Sequence, residues 1–129
     1  MTSKPEVDRG QALATPAGKV IGFLDSKVTF DAFVDAVSAA GFPATTITSL
    51  YGEDGIRLLE RLKEHSFFFG DSEDSIIRLS IRELTQGHYA VAIEVPNHQQ
   101  AETIVSLATP QGGHDFTYFG TWVSEQLPT

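Results

Sequence analysis

The chain contains no cysteine. Disulfides, thiol nucleophiles, iron–sulfur clusters and thiolate zinc sites are therefore excluded together. No apolar run approaches the roughly 18 residues a membrane-spanning helix needs. Basic residues are scarce: nine Lys and Arg stand against seventeen Asp and Glu, a formal charge of −8. All nine lie between Lys4 and Arg82, and none occurs from Glu83 to Thr129. Such a field repels polyanions, so neither nucleic acid nor an anionic membrane is an expected partner. A small anion could still meet the cations in the middle of the chain. Signatures of nucleophilic catalysis or dinucleotide binding are missing too. There is no Gly-x-Ser-x-Gly elbow, and Gly52-Glu53-Asp54-Gly55 and Gly112-Gly113 are too sparse for a phosphate loop.

What is present suits one domain: 41% of the 129 residues are apolar, enough for a packed core. Residues 1–18, rich in proline and polar side chains, read as a flexible lead-in without secretory or transit character, and the protein as cytoplasmic. Residues 19–127 read as a single α+β domain.

Lys19 to Asp25 is a short apolar run of strand formers. Thr29 offers an N-cap to a helix carrying Ala32, Phe33, Ala36, Val37 and Ala40, which Gly41 and Pro43 end. Thr45 to Leu50, β-branched, reads as a second strand. A matching unit starts at His88, where Tyr89, Val91, Ile93 and Val95 alternate with His88, Ala90, Ala92 and Glu94. Asn97 can cap the next helix (Ala101, Ile104, Val105, Ala108), and His114 to Phe119 closes the unit. The halves superpose at an offset of about seventy residues, a loose internal duplication. Two such halves predict a ferredoxin-like sandwich with a four-stranded antiparallel sheet. Between them, about residues 52–87, helical spacing of Ile56, Leu59 and Leu62, then Ile77, Ile81 and Leu84, predicts an inserted helix pair between strands two and three. Strand one is apolar on both faces, so either these helices or a partner subunit must cover the sheet's second face.

Three constellations bear on function. Arg57 and Arg61, and likewise Arg78 and Arg82, are four apart on predicted helices and could clamp a phosphate or carboxylate, with Tyr118 and Trp122 framing an apolar wall. Arg57 and Arg78 also follow Glu53 and Asp74 by four, the order of ordinary solvated helix ladders, which is the commoner arrangement. His88, Glu94 and His114 form an alternative acid–base set on a sheet face. No metal or other cofactor is expected: no histidine pair has a zinc-helix spacing, and His88 to Glu94 spans about 20 Å of extended chain. Phe67-Phe68-Phe69 cannot all face one way, so at least one ring is expected outside the main core.

Val20-Ile21-Gly22-Phe23-Leu24-Asp25-Ser26, a helix ending Ala39-Ala40-Gly41-Phe42, and a helical insertion before an alternating strand resemble the bacterial general (heat-induced) stress protein family. The tail from Gly112-Gly113-His114-Asp115-Phe116 to Leu127 is similar to the closing segment of related small bacterial proteins. The resemblance spans residues 19–127. It implies a ferredoxin-like α+β domain and bacterial stress-linked expression, and it supplies no catalytic residues. Together these readings predict a non-catalytic module, a homodimer, binding a small anionic ligand or a protein partner. The alternative is a small enzyme of the dimeric α+β-barrel type.

Overall fold

Apolar side chains occupy both faces of the first strand, and the architecture answers that need with helices on both sides of one sheet. The computed structural model describes residues 18–64, 71–119 and 124–126. Five strands, β1 (Lys19–Leu24), β2 (Ile47–Leu50), β3 (Tyr89–Glu94), β4 (His114–Phe119) and β5 (Ser124–Gln126), form one sheet in the order β2-β3-β1-β4-β5. Every pairing is antiparallel. The helices are α1 (Lys27–Ala39), α2 (Gly52–Glu64), α3 (Asp71–Thr85) and α4 (His98–Ala108). This α+β arrangement is compatible with a ferredoxin-like fold; β5 extends the expected four strands to five at one edge.

Val20 and Leu24 of β1, with Val91, Ile93 and Phe116, pack against Phe33 and Val37 of α1 and Ile104 of α4. Ile21 and Phe23, pointing the other way, pack with Ala90 and Ala92 against Leu58 and Leu59 of α2 and Ile76 and Ile77 of α3. The alanines at 90 and 92 are small enough to let that helix pair approach the sheet. Both faces of β1 are thus covered within one chain, and of the two expected covers for the second face it is the inserted helices that supply it. Phe67, Phe68 and Phe69, like residues 1–17, lie outside the described residues.

Local chemistry sets the element ends. The N-cap of α1 is Ser26, not Thr29: Ser26 Oγ accepts from the Thr29 backbone N–H at 3.2 Å, and Thr29 Oγ1 accepts from Ser26 N–H at 3.1 Å. Thr29 is the third helical residue of a capping box, a role that a hydroxyl residue three places after serine fills well. Asn97 caps α4 as expected, accepting from Gln100 N–H at 2.9 Å.

One irregularity governs the site described below. Between β1 and β4 the register runs Ile21↔Thr117 and then Phe23↔His114, so β4 carries one extra residue. Asp115 takes up this bulge in the left-handed region, at φ 54°. Aspartate tolerates that conformation better than most residues, whereas a branched Cβ collides with the following carbonyl. Asp115→Val is therefore expected to lose about 2 kcal/mol of stability in urea unfolding, and Asp115→Gly to lose little or none. A valine variant as stable as the parent would mean that residue 115 does not hold this backbone.

Candidate functional site: a histidine–carboxylate centre at the sheet end

Antiparallel pairing brings the end of β1 beside the starts of β3 and β4, and α3 ends over the same corner. Four titratable side chains meet there: Asp25, Glu83, His88 and His114. Each is held by its element. Asp25 leaves β1 immediately before the capping box that anchors α1. Glu83 lies on the buried stripe of α3, in line with Ile76 and Ser80, and only 6% of its surface is exposed. Ser80, fully buried, donates to the Ile76 carbonyl at 2.6 Å, which satisfies that hydroxyl within its own helix.

The end of α3 fixes His88 relative to Glu83. Gly87 is left-handed at φ 86°, its N–H bonds the Leu84 carbonyl at 3.0 Å, and the His88 N–H bonds the Glu83 carbonyl at 3.0 Å. This is a Schellman ending, and it sets the His88 ring beside the Glu83 carboxylate. His114 arrives by a different route. Strict alternation along β4 would place it with Phe116 and Tyr118, facing α1 and α4. The bulge at Asp115 reverses that: His114 pairs with Phe23, their rings lie 6.1 Å apart, and it faces α3.

One carboxylate oxygen serves both rings. Glu83 Oε1 lies 2.7 Å from His88 Nδ1 and 2.6 Å from His114 Nε2. The rings meet edge to face at 5.4 Å and 80°. Burial pushes the Glu83 carboxyl up, but the hydrogen bonds from His88 and His114 outweigh burial and hold it below its ordinary value. An ionised carboxylate can only accept, so both imidazoles donate to it. Burial pushes His114 down, and the Glu83 hydrogen bond and charge more than reverse this, leaving it raised. The opposite ring atoms, His88 Nε2 and His114 Nδ1, face Asp25 Oδ1 at 3.7 and 3.3 Å. Asp25 is 58% exposed, so the centre opens to solvent on that side.

The expected sites are rearranged by this geometry. His88 and His114 do come together, but their carboxylate partners are Glu83 and Asp25. Glu94 is exposed at the far end of β3, opposite Lys19 and six residues along the strand from His88, about 20 Å away. Arg57, Arg61, Arg78 and Arg82 are all exposed on α2 and α3, and Arg57 engages Glu53 at 3.4 Å and Asp54 at 3.7 Å. Tyr118 is buried on the opposite side of the sheet, its ring 5.9 Å from that of His98. The sheet therefore stands between Tyr118 and the arginine helices, and Tyr118 cannot wall a clamp they form. Trp122 lies outside the described residues. A shallow cavity of about 460 Å³ between α1 and β2 is lined by Phe30, Val34 and Ile47 with Asp31 and Asp35, which suits no anion.

Sequence reading missed Glu83. Its signal was present: a carboxylate on the apolar stripe of a helix, five residues before a histidine. The zinc-helix spacing argument against a metal addressed neighbours along the chain, whereas Asp25, His88 and His114 come from separate segments.

Fold and centre together define an α+β sandwich with a buried carboxylate bridging two imidazoles. No family model, no curated protein and no solved structure matches the chain. No helix among the described residues is long and apolar enough to cross a membrane.

Proposed function

We propose that this chain is a binding module of ferredoxin-like type that takes a small cation at the centre formed by Asp25, His88 and His114. One observation carries the reading: the buried Glu83 carboxylate holds one nitrogen of each imidazole, so that the opposite nitrogens turn toward the exposed Asp25 carboxylate. Imidazole nitrogens and a carboxylate facing one another attract positive charge, and the net charge of −8 adds to the attraction. An anion finds no such centre in the ion-paired Arg57. The resemblance to the general stress protein family supports a bacterial stress-linked role for the module.

Thermal unfolding with added small cations or anions tests this reading. Divalent cations or small amines are expected to raise Tm of the parent by several degrees at about a hundredfold excess over Kd. Asp25→Ala, an exposed change, should remove that shift. Stabilisation by phosphate or carboxylates alone, abolished by Arg57→Ala with Arg78→Ala, would place the site on the arginine helices and end this reading.

A further inference from the structure

Three acceptor atoms converge at the centre, and the geometry points to a divalent transition metal as the cation that joins them. We infer that Asp25 Oδ1, His88 Nε2 and His114 Nδ1 are its inner ligands and Glu83 the outer carboxylate; this rests on the cation-binding reading above. Asp25, His88 and His114 each bring a ligand atom within 4.8 Å of the others, and Asp25 Oδ1 lies 3.7 Å from His88 Nε2 and 3.3 Å from His114 Nδ1. Ligands about 2.0–2.1 Å from a tetrahedral ion stand roughly 3.3–3.4 Å from one another. The two separations from Asp25 Oδ1 are already within about 0.4 Å of that spacing.

Protonation also fits. Glu83 takes the proton-bearing nitrogen of each ring, which leaves the lone pairs of His88 Nε2 and His114 Nδ1 directed at Asp25. The Gly112 carbonyl, 3.5 Å from His114 Nδ1, is another acceptor. Acceptors facing acceptors are unfavourable unless an extra proton or a metal ion lies among them. A carboxylate on the far nitrogen of a metal-binding histidine sets ring orientation and raises ligand basicity, and here one buried carboxylate does so for two rings.

The ligand types narrow the ion. Two imidazoles and one carboxylate suit zinc, cobalt, nickel or ferrous iron, whereas calcium and magnesium require oxygen-rich shells. The exposed side of Asp25 leaves room for water in the remaining coordination positions. A second grouping, Glu83, His114 and Asp115, also falls within 4.8 Å. Using Glu83 as an inner ligand would break the hydrogen bonds that hold both rings, so the Asp25 set is the one the structure supports.

The test is isothermal titration of the full chain, freed of metal with a chelator, with Zn²⁺, and with Co²⁺ followed by its visible spectrum. One equivalent is expected to bind, with cobalt bands of four- or five-coordinate intensity. Asp25→Ala should weaken binding at least tenfold while far-UV circular dichroism is unchanged. Glu83→Gln should weaken it about 10- to 100-fold. Asp115→Asn should not alter it, and neither should His98→Ala, which removes the exposed His98–Glu102 pair. Binding that survives Asp25→Ala, or is lost with Asp115→Asn or His98→Ala, overturns the assignment. If Zn²⁺ and Co²⁺ both fail to bind while other cations still raise Tm through Asp25, the metal assignment falls and the cation reading stands. If no cation binds, both fall.

Discussion

Gly22→Ala is expected to destabilise the protein by about 2–3 kcal/mol, and Gly22→Val by more. A Cβ at residue 22 would lie 2.3 Å from Cγ of Phe116 and within 2.5 Å of both neighbouring ring carbons. The ring has little room to retreat. Phe116 is fully buried, meets Phe33 edge-on at 5.8 Å, and its Cε1 would be 2.8 Å from a Cβ on Gly113. Alanine in a strand regains roughly 0.5–1 kcal/mol over glycine, which offsets only part of the overpacking. Urea unfolding at one pH measures the loss, and Tm should fall by roughly 10 °C. Phe116→Leu in the Gly22→Ala background should recover part of it, with a coupling of at least about 1 kcal/mol in the double-mutant cycle. Additive losses would mean the ring does not lie across Gly22.

Glu83→Gln is expected to cost about 2 kcal/mol near pH 5.5, because glutamine cannot replace a charged acceptor serving two imidazoles. The cost should depend on pH in a defined way. The Glu83 carboxyl is held below its ordinary 4.5, so its contribution is present above that value and is lost as pH falls through the lowered one. His114 is raised above its ordinary 6.5, so its contribution is complete below 6.5 and is lost as pH rises through the raised value. The two conditions overlap between 4.5 and 6.5, where the gap between parent and variant should be widest. Asp25, His88 and Asp115 are the charged or titratable groups that face the Glu83–His114 pair. Urea unfolding across about pH 4 to 9, without added metal, maps the gap. A gap constant over that range would show that no proton is shared between the carboxylate and the rings.

Much of the architecture was legible because secondary-structure periods are local. The alternation from Tyr89 to Val95 assigned β3 and its two faces, with Val91 and Ile93 on one and Ala90 and Ala92 on the other. Asn97 marked the start of α4, and the apolar stripes of α2 and α3 marked two helices between β2 and β3. The double-faced β1 required cover on both sides. Where sequence reading misjudged a cap, at Thr29, it lay three residues from the true one because both hydroxyls belong to one capping box.

The functional centre was legible only in part. His88 and His114 stood out by residue type, but Glu94 was matched to them because it shares a strand face with His88, a relation that ignores distance along the strand. Glu83 was not weighed, although it falls on the apolar stripe of α3 in line with Ile76 and Ser80. The sequence by itself determined which segments are strands and helices and that the sheet needed two apolar covers, since both follow from patterns within a few consecutive residues. Only the tertiary structure decided which carboxylates meet the histidines. Strand register, one left-handed aspartate and the ending of α3 set that meeting, and a one-residue slip in register turns a side chain to the other face of the sheet.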